Sequence, residues 1–275
     1  MRGSNLLLRT LVAAAFIPLY VFITIHGGIG LFVVNLAIVL GAVWEFCRLG
    51  RPHLDPEVPL TMAVCGGTLY LMATGHPGPA SSLAILPFLI VLGLDVASGT
   101  PRQTLLRASR AAAAVLYIAW LFGHVHLLRL PGPKLDRWGI PPWKLALIPF
   151  YLTWIVDTAA YGFGRAFGRT RLAPVISPKK SWEGAVAGFA AGLAAGGALC
   201  VLGPLPLPVG LLLGGIAGSL GQVADLAESL FKREVCVKDS SCLIPGHGGV
   251  LDRFDSLLLN IPGVYYALVL VPGRS

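Results

Sequence analysis

Residues 184–203 read GAVAGFAAGLAAGGALCVLG, and after a Pro-rich turn residues 208–231 read PVGLLLGGIAGSLGQVADLAESLF. The first run carries no charge and matches the roughly 20 apolar residues that an α-helix needs to cross a bilayer. Gly184, Gly188, Gly192 and Gly196 recur every four residues, as do Gly210, Gly214 and Gly218 in the second run. On a helix each set forms one smooth stripe. Such stripes let backbones approach closely in lipid, where apolarity itself supplies no driving force for association. The expectation is tight packing of these two helices on each other or on a second copy. The other reading is that the glycines leave room for a lipid chain.

The rest of the chain agrees with a membrane setting. Of its 275 residues 55% are hydrophobic and 12% charged, with mean hydropathy +0.76, where a soluble domain carries roughly a quarter charged residues. That excludes a soluble enzyme and a disordered chain, and five cysteines are too few and odd in number for a disulfide scaffold. Apolar runs bounded by Gly, Pro and charge clusters place spans near 7–25, 29–47, 60–74, 83–97, 111–128, 145–163, 184–203, 208–231 and 254–271. The fold expected is an all-α, polytopic transmembrane bundle of about nine spans. It divides into N-terminal transmembrane helices (1–145) and a C-terminal transmembrane region (146–275). Spans 60–74 and 83–97 are short, so each is expected to be re-entrant or to extend into its flanks. Arg2 and Arg9 before the first run imitate a signal peptide, but no small-residue cleavage site follows Ile25-His26-Gly27, and a retained helix is expected.

A cytoplasmic N-terminus puts sixteen of the 21 Lys and Arg residues inside; the exceptions are Arg129, Lys134, Arg137, Lys144 and Arg274. Four of those five lie in the 129–144 loop, the one breach of the charge rule. The net charge of +8 is therefore mostly a cytoplasmic-face charge that attracts anionic lipid heads. No aromatic-interleaved basic patch points to nucleic acid, which is not expected as a partner.

Acidic residues inside spans cost about 2.5–3.5 kcal/mol on insertion scales, so each needs a partner, a water-filled cavity or a task. Glu45 lies beside Arg48, and Asp95 near a span end, and both read as interfacial or locally paired. Asp157, Asp225 and Glu228 are harder to dismiss. Asp225, Glu228, Ser229, Lys232 and Arg233 share one helix face. A Glu228–Lys232 ion pair accounts for two of them, but not for Asp225.

The next stretch is denser: Lys238-Asp239-Ser240-Ser241, then Ile244-Pro245-Gly246-His247-Gly248-Gly249, then Leu251-Asp252-Arg253-Phe254-Asp255-Ser256. Glycines around His247 give an open backbone whose N–H groups can face an anion. Asp252 and Asp255 open the last span at a helix N-terminus. Hard oxygen donors of this kind suit Mg²⁺, which joins one or two carboxylates to substrate phosphates, and lysine and arginine neutralise the remaining charge. The pattern reads as phosphoryl or nucleotidyl transfer at a membrane surface. Upstream, Ser177-Pro178-Lys179-Lys180-Ser181-Trp182-Glu183 offers two lysines flanked by hydroxyls, suited to a polyphosphate. Gly162-Phe163-Gly164-Arg165 with Gly168 misses a dinucleotide-binding pattern, and there is no Walker loop. Cys236, Cys242 and His247 lack the spacing of a zinc site. Cys47, Cys65 and Cys200 read as small apolar residues.

The run Ser229-Leu230-Phe231-Lys232-Arg233, then Lys238-Asp239-Ser240-Ser241, Leu243 to Gly249, and Leu251-Asp252-Arg253-Phe254-Asp255 closely resembles the signature of the phosphatidate cytidylyltransferase family, also called CDP-diglyceride synthetases. The segment from Ser177 to Gly184, and Asp157 to Tyr161 with Gly164-Arg165, resemble the family as well. The likeness is strong over residues 150–260, and Cys236 stands where the family usually has glycine. The resemblance implies transfer of CMP from CTP to phosphatidic acid, giving CDP-diacylglycerol and pyrophosphate. It implies an Mg²⁺ requirement, with K⁺ as an optional companion, and a homodimer in the bacterial cytoplasmic (inner) membrane. Carried onto this chain, Asp225 and Asp252 hold metal. Lys232, Arg233, Lys238 and Arg253 meet phosphates, with Asp239 and Asp255 in the same catalytic group. Ser177, Lys179, Lys180, Ser181, Glu183, Ser229 and Asp157 bind substrate. His247 is either an acid for departing pyrophosphate or a strut of the Gly-rich turn.

Two other readings remain at this stage. One keeps the nucleotide and changes the lipid, to an isoprenoid-type acceptor or a CTP-dependent lipid kinase. The other is a transporter using Asp157, Asp225 and Glu228, which calls for midplane acids in broken helices and an inverted repeat; no repeat is visible.

Overall fold

A computed structural model describes residues 15–51, 55–99, 103–241, 243 and 248–272. Its helices are α1 (Ala15–His26), α2 (Gly28–Arg48), α3 (Val58–Ala73), α4 (Pro77–Ser82), α5 (Ile85–Ser98) and α6 (Thr104–Ala113). A π-helical segment (Ala114–Trp120) joins α6 to α7 (Leu121–Arg129), and α8 (Pro133–Asp136) and α9 (Pro142–Phe167) follow. A small antiparallel hairpin, β1 (Arg171–Ala173) with β2 (Ser177–Ser181), precedes α10 (Trp182–Leu202), α11 (Leu207–Glu234) and α12 (Leu251–Leu270).

Among the described residues six helical stretches are long and apolar enough to span a membrane, and α1 and α3 are shorter apolar helices. The two spans expected to be weak resolve differently. The 83–97 run is extended by α4 into a 22-residue stretch, Pro77–Ser98, whereas α3 remains a helix of 16 residues. The ninth run is α12, whose polar residues gather in its first two turns (Asp252, Arg253, Asp255 and Ser256) and whose remainder is mostly apolar.

The chain folds as two compact units, one of residues 1–127 with 235–253, the other of 128–234 with 254–275. In the first, α2 and α3 pack on one another and on the π-helical segment, burying Leu31, Val39, Val43, Cys65, Leu69, Met72, Val115 and Ile118. Several polar groups inside are hydrogen-bonded, as burial favours. Tyr20 donates to Asn35 Oδ1 at 3.1 Å, and the Asn35 amide meets His126 Nε2 at 3.1 Å. Arg107 is clamped between Glu57 (2.6 Å) and Asp95 (3.0 Å). Asp95 is thus locally paired, as its position near a span end suggests.

In the second unit α10 lies against both α9 and α11, with glycine at the contacts. A Cβ added at Gly192 would stand 2.6 Å from the Gly214 carbonyl oxygen, and one at Gly184 would stand 2.7 Å from that of Ala160. The glycine stripes are therefore helix–helix seams. Two cations of the 129–144 loop, which breaks the charge rule, have partners within the protein. Arg137 donates to the carbonyl of Leu268 at 2.8 Å and to those of Val269 and Val271, closing the C-terminus of α12 where cations are favoured. Lys144 sits over the Trp143 ring.

Candidate active site

Within the second unit, the hairpin and α11 meet through charge. Lys180 Nζ, on β2, lies 2.6 Å from Asp225 Oδ2 on α11, both partly exposed. Arg233, at the end of α11, donates from Nε to the carbonyl of Ile176 at 3.1 Å. Asp225 also interacts electrostatically with Asp157 on α9 and with Asp255 on α12, so three carboxylates share one neighbourhood. Glu228 is fully buried and ion-paired with Lys232, the pairing its four-residue spacing suggests. The hairpin is fixed to α10 at its base. Ser181 Oγ accepts from the Gly184 N–H at 3.2 Å and caps the helix, and Glu183 Oε1 accepts from the Thr170 N–H at 3.1 Å. Ser177 lies on β2, Lys179 is exposed, and Ser229 is buried.

Within the first unit, Asp252 Oδ2 accepts from the N–H of Gly249 (2.8 Å), the N–H of Ser240 (3.0 Å) and the Ser240 hydroxyl (3.0 Å). Lys238, Asp239 and Arg253 are exposed. Asp239 and Ser240 line an open cavity of about 440 Å³ with Arg48, Leu49, Gly50, Arg51, Val235 and Val237. His247 and Cys242 lie outside the described residues, so the alternatives for His247 stay as the sequence leaves them. Cys236 has φ 57°, a left-handed conformation that glycine adopts freely and other residues at a cost. The demand at this position falls on the backbone, and glycine would meet it without strain.

One residue of this network escapes the sequence. Glu45 on α2 does not pair with Arg48, whose guanidinium stacks over Trp44 at 4.9 Å. It is fully buried and accepts from Ser240, Ser241 and the backbone of Val250 and Leu251. As an acid inside a span it signalled the need for a partner, but the nearby arginine offered a local explanation that the fold does not use.

No group of three or more His, Cys, Asp or Glu residues placed to hold a metal occurs among the described residues. Mg²⁺ commonly takes only one or two protein carboxylates and completes its shell with water and phosphate. A partly exposed Asp225 beside other carboxylates and a lysine fits that mode.

Apolar spanning helices, glycine seams and paired carboxylate, lysine and arginine side chains define an integral membrane protein equipped to handle polyanions. The comparisons specify which. The sequence profile of the Cytidylyltransferase family matches residues 7–271, and the chain belongs to that family. A phosphatidate cytidylyltransferase of Staphylococcus aureus is 32% identical over 260 residues, covering 92% of this chain and 95% of its own. One of Brucella suis is 34% identical over 286 aligned positions, covering 98% and 97%. One of Haemophilus influenzae is 44% identical over 128 residues, 44% of each chain.

Proposed function

We propose that this chain transfers CMP from CTP to phosphatidic acid at the cytoplasmic surface of the bacterial inner membrane, as a homodimer requiring Mg²⁺ and tolerant of K⁺ beside it. The product is CDP-diacylglycerol, a step of membrane phospholipid synthesis, and pyrophosphate leaves. The observation that carries the reading is the Lys180–Asp225 contact at 2.6 Å, which joins a lysine-bearing hairpin to a carboxylate helix in a chain of the Cytidylyltransferase family.

The phosphate of phosphatidate is already an anionic nucleophile. One of its oxygens forms the new bond to the α-phosphorus of CTP while the bond from that phosphorus to the bridging oxygen of the β-phosphate breaks. No strong general base is needed. The barrier is electrostatic, because one polyanion must approach another, and it falls by charge neutralisation and in-line placement. Lys179, Lys180, Lys232, Arg233, Lys238 and Arg253 supply positive charge, and Ser177, Ser181 and Ser229 supply hydroxyls beside them. Asp225 and Asp252 are the proposed ligands for Mg²⁺, which when bound neutralises the phosphates of CTP. The bias of Lys and Arg toward one side of the membrane supports a cytoplasmic site.

The test is pyrophosphate release by detergent-purified protein given CTP and phosphatidate, with and without Mg²⁺ and with each substrate omitted. Release that needs all three components is expected. Absence of release from folded protein supplied with K⁺ would overturn the reading and turn attention to other acceptor lipids. Cross-linking in membranes tests the dimer.

A further inference from the structure

Glu45 carries a charge into the interior of the first unit, where it is 0% exposed. Burial of a carboxylate is tolerated only when its oxygens are hydrogen-bonded, and a carboxylate offers about four acceptor positions. Three are filled outright, and the fourth shares the single hydroxyl proton of Ser240 with Asp252. Oε1 accepts from the Ser241 hydroxyl at 2.5 Å and the Val250 N–H at 2.8 Å. Oε2 accepts from the Ser240 hydroxyl at 2.9 Å and the Leu251 N–H at 2.8 Å. Every donor comes from one segment, roughly two hundred residues away in sequence.

Capping α12 alone would require only the two backbone donors. The two serines go further, because they belong to the Lys238-Asp239-Ser240-Ser241 stretch. Ser240 in turn binds Asp252 Oδ2 through both its N–H and its hydroxyl. Glu45, Ser240 and Asp252 thus form a continuous chain of contacts, with the single hydroxyl proton of Ser240 lying between two carboxylates. The surrounding shape is built for this approach. A Cβ at Gly249 would run into Ser240 Oγ and Glu45 Oε2, and one at Gly41, a turn before Glu45, would press on Val250 at 3.2 Å. Gly41, Glu45 and Arg48 follow one another along one face of α2, and Arg48 lines the 440 Å³ cavity beside Asp239 and Ser240.

We infer that Glu45 is a positioning residue for nucleotidyl transfer, holding Ser240 and the first residues of α12 so that Asp252 keeps its working geometry. This rests on the cytidylyltransferase reading. The isosteric Glu45→Gln retains the side chain's volume but turns an NH₂ toward two of the four donors. Misplacement of a catalytic group by about 1 Å costs on the order of 100-fold, so kcat should fall about 10- to 100-fold and the half-saturating Mg²⁺ concentration should rise. Amide exchange at Val250 and Leu251 should accelerate. The control is Glu57→Gln, which breaks a buried ion pair of the same unit with Arg107 and touches none of these groups. It should lower Tm while kcat, Mg²⁺ dependence and exchange at residues 250–251 stay within about twofold of wild type, the scatter allowed for a site outside the network.

Should Glu45→Gln fail to fold, Ser241→Ala removes one donor and should shift the same readouts in the same direction by a smaller factor. Unchanged kcat and Mg²⁺ dependence in either folded variant, or losses that merely track Tm as in Glu57→Gln, would overturn the role of Glu45 alone. A wild-type protein that releases no pyrophosphate would overturn the underlying reading instead.

Discussion

Lys180 is the side chain whose removal best separates a structural role from a chemical one. Its ammonium lies 2.6 Å from Asp225, with side-chain exposures of 27% and 32%. Two unit charges at that distance attract by about 1.6 kcal/mol in water and about 6 kcal/mol at an effective dielectric constant of 20. Solvent screening and the entropy of fixing a long side chain cancel most of this, and pairs this exposed contribute about 0–1 kcal/mol net. Replacing Lys180 by Gln should therefore shift Tm by at most about 4 °C, the response of a chain this size to 1 kcal/mol. A charge-assisted bond to a phosphate is different, because the lost group has no substitute in the transition state. One such bond is worth about 1.5–3 kcal/mol, or about 10- to 150-fold in kcat/KM. The assay is steady-state pyrophosphate release at varied CTP, with Tm measured on the same preparation. A folded Lys180→Gln enzyme within threefold of wild type would refute the reasoning. So would a Lys180→Asp, Asp225→Lys double exchange that restores full activity, since it would reduce the contact to a structural ion pair.

Three further outcomes follow from the geometry. Asp252→Asn should abolish turnover while the protein remains folded and membrane-inserted, read by pyrophosphate release and size-exclusion profile; a wild-type rate would remove Asp252 from the metal assignment. Gly192→Ala should destabilise the protein by about 1–3 kcal/mol, the cost of overpacking, because its Cβ would stand 2.6 Å from a backbone oxygen of α11 that no rotamer change can move; an unchanged Tm would deny the seam. Cys236→Gly should stabilise by about 0.5–1 kcal/mol, the relief of a left-handed backbone less the added freedom of the unfolded chain, and a lower Tm would show that the thiol packs usefully.

How much of this was legible in advance depended on the range of the interaction involved. The glycine stripes of α10 and α11 are a period-four pattern along single helices, and their use at the seam follows from helix geometry alone. The Glu228–Lys232 pair is legible for the same reason. Helix ends were less so. The shortness of the apolar run 83–97 left extension and re-entry equally open, and the Pro77–Ser82 helix that extends it could not be told from a break, since Pro is tolerated in the first turn of a helix and reads equally as a breaker. The use of Arg137 was also hidden. A cation in a loop counts toward topology in a linear reading, but here its donors go to the C-terminal carbonyls of α12, more than a hundred residues on.

Glu45 marks the same boundary at the candidate site. Its sequence neighbour Arg48 satisfied the rule that a buried acid needs a partner, and an explanation three positions away is always cheaper than one two hundred away. The physical preference runs the other way. An ion pair with an exposed arginine leaves carboxylate lone pairs to be desolvated without compensation, whereas the Val250 and Leu251 amides and the Ser240 and Ser241 hydroxyls hydrogen-bond both oxygens. Helix N-termini offer such amides wherever glycine lets a carboxylate approach, and Gly41 and Gly249 provide that access. An acid inside a span, glycine one turn before it and a Gly-Gly pair ahead of a distant helix therefore form a combination that points to partnership. It exceeds any local pairing because it accounts for the glycines as well as the charge.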